Sequence, residues 1–538
     1  MNKSIWQPFI YALLIVVGII LGIWLKPNTE GGQFLFKSKN KIGQILSIIN
    51  EAYVDTIDLD SLEDVAIEEL LTQLDPHSVY IPAKDLQQAN EGLEGNFEGV
   101  GIEFSILDDT IMVANVLKDG PASKVGILPG DRIIKVDTSN VAGIGIKNDQ
   151  VFKLLRGTAG TKVLVQLFRP DSKRKISYSI LRGQIPIYSI DAALMLNNQT
   201  GYIKIERFAA STHQEFLEAL EKLQAQQLKN LILDLRSNPG GYLSAATEIA
   251  DEFLNDKKLI VYTEGRTQRR VEYMAENPGN YESGKLIILI DEGSASASEI
   301  VSGAVQDWDR GVVLGRRSFG KGLVQEPFKL NDGSAIRLTV SRYYTPAGRC
   351  IQKDYTNGLV AYEHEISNRY EDGEVSDETK LKIKDSTIYK TTNGRKVYGG
   401  GGITPDVFVA VDTSYINQFY GALFEQSLLS RFTYNYMDAN RKKLTSTYQN
   451  ASTFNASFYV NDVLWNNFIS YIKANSSSDF TYQEIKQSEK QVRLLIKAMI
   501  ARQVWRDEGY FTVLSSEDKM IRKAIETFSS NYDKLLHP

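Results

Sequence analysis

Three alternating serines, a glycine-flanked lysine and a glutamine four residues beyond that lysine are the side chains best suited to chemistry in this sequence. They occupy residues 293–325, which begin Gly293-Ser-Ala-Ser-Ala-Ser-Glu-Ile and close Phe319-Gly-Lys-Gly-Leu-Val-Gln325. A serine hydroxyl is a poor nucleophile at neutral pH and needs a base within hydrogen-bond reach. No histidine lies in the stretch, so the base on offer is Lys321, which serves only when neutral. Burial among apolar groups depresses a lysine pKa, and Phe319, Leu323 and Val324 flank it. Gln325 is neutral and holds an amine without restoring its charge, where an aspartate would raise its pKa.

The surrounding pattern says how these residues are held. Lys285-Leu-Ile-Ile-Leu-Ile290 is an apolar run of strand length, and residues 299–306 read as an amphipathic helix, so the serines sit where a buried strand turns into a helix. Unpaired N–H groups at a helix start suit an oxyanion. Chemistry alone does not choose among the serines, since Ser294 also reads as a helix N-cap and Ser298 as packing in the first turn.

Other catalytic readings fit poorly. Asp307 follows Ser296 by eleven residues, on the same helix face but about 16 Å further along, so a Ser-His-Asp arrangement fails on reach and Asp307 reads as structural. His213, His364 and His537 are scattered, and His77 sits in the turn Asp75-Pro-His-Ser78, where a structural role is expected. No His-Glu-x-x-His occurs, and the near phosphate-binding loop at residues 315–322 has Gly322 where Ser or Thr would hold magnesium. No cofactor or metal is implied.

Strands and helices alternate over residues 186–410, which argues α/β layering, with a further strand at 336–344 and a polar, irregular surface excursion at 353–396. Residues 31–95 and 411–538 read as helical, the latter as a packing or partner-binding domain. Residues 96–185 differ: Gly99-Val-Gly-Ile102, then Gly120-Pro-Ala, then Pro129-Gly-Asp131 resemble, in order, the landmarks of a PDZ domain. Gly99, Val100, Gly101 and Ile102 would capture a C-terminal carboxylate on loop N–H groups while an extended tail pairs with the adjacent strand edge. Arg156, ending the helix of that segment, reads as a surface arginine or a gating contact.

Composition narrows the partners. A net charge of −5 over 538 residues argues against nucleic acid. The single cysteine, Cys350, excludes an intrachain disulfide and a multi-cysteine zinc site. Residues 5–25 are almost uncharged and long enough to cross a hydrocarbon core of about 30 Å; no Ala-x-Ala-like cleavage site follows. They read as an uncleaved signal anchor within residues 1–30. The chain would then pass once through a bacterial inner membrane, with its globular part facing the periplasm or cell exterior.

The succession Asp234-Leu-Arg-Ser-Asn-Pro-Gly-Gly241, the serine run and Phe319-Gly-Lys-Gly-x-Val-Gln325, behind a helical and a PDZ-like segment, resembles the C-terminal processing (tail-specific) serine proteases over roughly residues 34–406. The resemblance implies Ser296 as nucleophile, Lys321 as base and Gln325 as the residue that orients the lysine. The oxyanion would then take the N–H of Ala297 and one from Gly240 or Gly241, whose missing Cβ allows close approach. The expected architecture is multidomain: N-terminal membrane anchor, helical segment, PDZ-like β-rich domain, α/β protease core and C-terminal helical domain. The expected function is a membrane-anchored serine endopeptidase acting near protein C-termini that carry apolar tails, with homo-oligomer formation left open. The alternative is a non-catalytic PDZ scaffold on a degenerate protease core.

Overall fold

Residues 16–17, 41–117, 120–255, 257–382 and 387–537 are described by the computed structural model, which divides into two compact units, residues 1–69 and 70–538. The apolar run at residues 5–25 lies outside the described residues except for Val16 and Val17; among the described residues no helix is long and apolar enough to cross a membrane. The first unit holds helix Lys41–Ala52, none of whose residues is buried, and the start of helix Leu59–Thr72.

The second unit opens with the Asp75–Ser78 turn, strand Val79–Ile81 and helix Ala83–Glu94. The chain enters the next domain on strand Asn96–Gly99 and leaves on Gly183–Pro186, and these two strands pair antiparallel, closing the domain at its neck. Between them, five antiparallel strands follow the order Ile102–Leu107, Thr110–Val116, Arg132–Val136, Lys162–Arg169, Arg174–Leu181. Val163, Val165 and Leu167 alternate into a core closed by helix Asn148–Leu155 through Val151 and Leu155, as the period-2 and helical patterns require.

The α/β core is built on a six-stranded sheet in the order Ile190–Met195, Thr200–Ile205, Asn230–Asp234, Lys285–Ile290, Val312–Gly315, Val407–Phe408, parallel except for its first pair. Its central strands read as apolar runs because both faces are covered. Helices Thr212–Gln224, Leu243–Asp251 and Ala297–Asp307 cover one face. The other is covered by helices Lys519–Ser530 and Tyr532–Leu536, through Met520, Ile521, Ala524 and Phe528, so these C-terminal helices complete the α/β core. A second sheet carries Val79–Ile81, Leu259–Glu264, Val271–Met274, Leu323–Lys329 and Ala335–Tyr344.

Helices from Gln418–Glu425 to Tyr482–Ser515 enclose a separate apolar core that includes Phe419, Phe432, Phe454, Phe468 and Ile496. This domain braces the back of the PDZ-like sheet: Tyr434 packs on Leu107, Met112 and Ala114, and Arg431 pairs with Asp108 at 2.7 Å.

Two expectations need correcting. Helix Ala297–Asp307 is buried along its whole length rather than amphipathic, because Gln306 and Asp307 find buried polar partners instead of water. The 353–396 excursion is not simply surface. It contains helix Leu359–Glu371, whose Tyr362 and Arg369 are buried, and the Lys353 side chain is buried as well.

Candidate active site

Strand Lys285–Ile290 delivers a tight turn in which the Asp291 carboxylate accepts the N–H groups of Ser237 (2.7 Å) and Gly293 (3.0 Å). The three serines that follow are chemically unlike. Ser294 is fully buried, donates to the Leu235 carbonyl at 2.8 Å and accepts the Asp291 N–H; it is not the helix cap. Ser298 is fully buried and donates to the Asn238 carbonyl at 3.0 Å. Ser296 alone is partly exposed, immediately before the first residue of helix Ala297–Asp307. Its backbone stands at φ 54°, ψ −111°, a strained conformation for a side chain with a Cβ and one concentrated at functional turns.

The Arg236–Gly241 turn presses against this serine. A Cβ on Gly240 would lie 2.7 Å from the Ser296 Cβ and 2.9 Å from the Ala297 nitrogen, so only glycine fits. The Gly240 N–H is held by the Asn238 side chain at 2.9 Å, which leaves Gly241 as the glycine whose N–H Asn238 does not take. Ala297 opens the helix, so its N–H has no intrahelical acceptor by position. Asn238, not anticipated from sequence, is fully buried and also ties the turn to the serine segment through Ala295 N–H to its carbonyl at 2.9 Å.

Lys321 is brought to this turn by a residue that pattern reading passed over. The fully buried Glu299 carboxylate accepts Ser296 N–H (2.9 Å), Lys321 N–H (2.9 Å), Gly320 N–H (2.8 Å) and the Ser318 hydroxyl. One side chain thus clamps the Ser296 and Lys321 segments together. Its signal was present in the sequence, since Ser296-Ala-Ser-Glu299 is a capping-box spacing. Tyr343, also buried, sets its hydroxyl within 3.0 Å of the Ser296 carbonyl and 2.5 Å of the Lys321 carbonyl, gripping the same two segments from their acceptor side. Burial pushes the Glu299 carboxyl up to about 7 against the pull of its donors. Burial likewise lowers the Lys321 amine below its ordinary value, opposed by Glu299 and Asp75 and helped by Arg337.

Gln325 donates its amide to the Thr339 hydroxyl at 3.2 Å. His77 bonds the Tyr362 hydroxyl through Nε2 at 2.7 Å, and burial with Lys321 and Lys353 nearby holds it down at about 4. The Lys353 ammonium lies 3.9 Å and 4.1 Å from the ring centres of Phe319 and Tyr362, and burial lowers it to about 8. Asp307 points away from the serine: its carboxylate meets Arg349 at 2.5 Å and the Ala347 N–H at 2.9 Å. Because Arg349 is wholly buried, Asp307→Ala is expected to cost about 3–5 kcal/mol of core stability by leaving that charge unpaired. Urea unfolding of the variant checks this, and a midpoint matching the parent's would contradict it.

In the PDZ-like domain the carbonyls of Val100 and Gly101 accept the N–H groups of Ala122 (2.8 Å) and Leu117 (3.0 Å), and Gly101 adopts φ 80°. Strand Ile102–Leu107 is the edge of its sheet, and its Phe104 meets Phe152 of the facing helix edge-on at 5.3 Å between centres. Arg156 bonds Glu91 at 2.6 Å and lies over Phe97 and Phe152, so it is a partnered residue rather than a free surface one.

Residues 199–360 match the family model described as peptidase family S41, and residues 99–180 that of the PDZ domain. The carboxy-terminal-processing protease of Bartonella bacilliformis is 34% identical over 375 residues, covering 67% of this chain and 85% of that protein. Carboxy-terminal processing protease CtpB of Bacillus subtilis is 34% identical over 328 residues, 60% of this chain and 68% of the relative. The chain belongs to the carboxy-terminal processing proteases of peptidase family S41. It is therefore a serine peptidase, and the S41 match contains the serine turn, both glycines, Lys321 and Gln325. Among solved structures, the photosystem II D1 C-terminal processing protease is 30% identical over 57% of this chain and 83% of that one, with a TM-score of 0.33. Residues 419–507, within the helical domain that braces the PDZ domain, match a family of unknown function.

Proposed function

We propose that this S41 peptidase cuts near protein C-termini with Ser296 as nucleophile and Lys321 as its general base. The observation that carries the reading is that one buried carboxylate, Glu299, receives the N–H groups of both Ser296 and Lys321. The neutral amine takes the Ser296 hydroxyl proton as the oxygen attacks the scissile carbonyl. The N–H groups of Ala297 and Gly241 stabilise the developing oxyanion. The lysine ammonium returns its proton to the leaving amine, and the regenerated amine then activates the water that hydrolyses the acyl-serine.

The PDZ domain supplies tail recognition: the 99–102 loop receives the terminal carboxylate, and the edge strand Ile102–Leu107 pairs with an extended apolar tail. The apolar run at residues 5–25 anchors the chain by a single pass in a bacterial inner membrane, with the peptidase on the periplasmic or outer side. An unstructured protein substrate with an apolar tail, offered with a free and an amidated C-terminus, tests recognition. Amidation is expected to slow cleavage about tenfold through loss of charge-assisted hydrogen bonds. Equal rates would remove tail capture, and tail binding without any turnover would favour the scaffold alternative.

A further inference from the structure

The orientation of Gln325 is set from a distant part of the chain. Thr339 stands in register opposite Gln325 on strand Ala335–Tyr344. On its other edge that strand pairs with Val79–Ile81 through residues 335–337 and with Leu259–Glu264 through residues 342–344. The gap between them is filled by the Asp75–Ser78 turn: Ser78 Oγ accepts the Thr339 N–H at 3.1 Å, and Asp75 Oδ1 accepts the Thr339 hydroxyl at 3.0 Å. Asp75, itself buried, also accepts His77 N–H (2.8 Å), Ser78 N–H (3.0 Å) and the Ser78 hydroxyl (2.6 Å). Its two oxygens thus accept from four donors and are the accepting side of every one of these bonds.

This fixes the direction of the chain of bonds. The single Thr339 hydroxyl proton goes to Asp75, so its oxygen is left as an acceptor, and Gln325 must turn its NH2 group toward it at 3.2 Å. The Gln325 carbonyl oxygen is thereby turned off Thr339. A neutral amine that donates an N–H to a carbonyl keeps its lone pair for a serine proton. Where Gln325 orients the lysine as proposed above, a reversed amide would offer that lone pair an N–H and compete with the serine.

We propose that Asp75 and Thr339 are positioning residues which, acting through Gln325, present its carbonyl oxygen rather than its amide nitrogen to the Lys321 amine. The proposal rests on the reading of Ser296, Lys321 and Gln325 given above. It makes the Asp75–Ser78 turn, delivered by a segment that precedes the PDZ domain, part of the apparatus that prepares the base.

The test is a double-mutant cycle in the whole chain, read as steady-state cleavage of an unstructured protein substrate. Thr339→Val exchanges the hydroxyl for a methyl of similar volume, and it is expected to lower kcat about 10- to 100-fold with little change in KM, the scale of a misoriented catalytic group. Thr339→Ser restores the hydroxyl and is expected to recover most of the loss. In a Gln325→Ala background, Thr339→Val is expected to add less than about twofold, because the relay has nothing left to act through. Thr339→Ala serves in the same cycle if the valine variant does not fold. An additive cycle, or a serine variant as slow as the valine one, overturns the relay. Cleavage retained by Ser296→Ala or Lys321→Ala would instead overturn the dyad beneath it, so the two failures are distinguishable.

Discussion

Lys321→Ala is expected to leave a folded protein whose kcat is lower by about four orders of magnitude or more, the range seen when a member of a nucleophile–base unit is removed. The serine would keep its strained turn and the N–H groups around it, but its hydroxyl would have no acceptor for the proton. Lys321→Arg should be as inactive, since a guanidinium stays charged at every accessible pH. The parent enzyme should show the matching pH dependence. Burial lowers the amine below its ordinary value of 10.5, so activity rises with pH as the ammonium loses its proton, and the midpoint of that rise falls below 10.5. A kcat/KM profile from acid to alkaline pH checks the sign, and a rate that falls over this limb would exclude an amine base.

The same displacement has a thermodynamic side. Because the folded pKa is depressed, the unfolded chain binds the proton more readily than the native one. The destabilisation is fully present below the folded pKa and disappears as pH rises toward 10.5. Lys321→Met should therefore unfold at a higher temperature than the parent at neutral pH while being inactive, the usual exchange between stability and a destabilised functional group.

What the sequence made legible were the features whose causes are local. A buried strand is an apolar run, a serine-rich turn before a helix is a shift in period, and glycines at close approaches stand out wherever they occur. Residues 285–307 and the 99–102 loop could be recognised on that basis. The hidden features depend on partners far away in sequence. Thr339 and Asp75 are 264 residues apart, and neither carries a local mark of meeting the other beside Gln325. Asp307 reads as structural from its distance along the helix, but its partner, Arg349, lies 42 residues on and cannot be named until the fold brings it in. The polar stretch after residue 353 reads as surface for the same reason: Glu365 pairs with Arg369 and Arg317, and Glu374 with Arg317, so that Arg369 and Glu374 are buried without apolar character. Polarity predicts exposure only where no compensating charge is brought in by the fold.

Glu299 shows how a locally readable signal can conceal a larger role. A glutamate three residues after a serine at a helix start predicts a capping box, which accounts for the Ser296 N–H alone. The remaining acceptor positions go to Gly320, Lys321 and Ser318, which belong to the glycine-flanked lysine loop. Glu299→Ala is therefore expected to do two things at once. It strands the buried Gly320 N–H and Ser318 hydroxyl and the half-buried N–H groups of Ser296 and Lys321, each worth about 1–3 kcal/mol when left unpaired in a buried setting, so that even with partial relaxation the core loses on the order of 3–5 kcal/mol. It also frees the Lys321 loop from the Ser296 turn, leaving Tyr343 as a remaining tie between them, and a displacement of about 1 Å is enough to cost 100-fold in rate. Glu299→Gln should be nearly as damaging despite its shape, because its NH2 group would face donors where the carboxylate faced acceptable partners. Urea unfolding and kcat measured on the same preparations give the two readouts. A glutamine variant with the parent's stability and turnover would mean that the carboxylate is not the clamp, whereas a stable but slow one would locate its role in the alignment of Ser296 with Lys321.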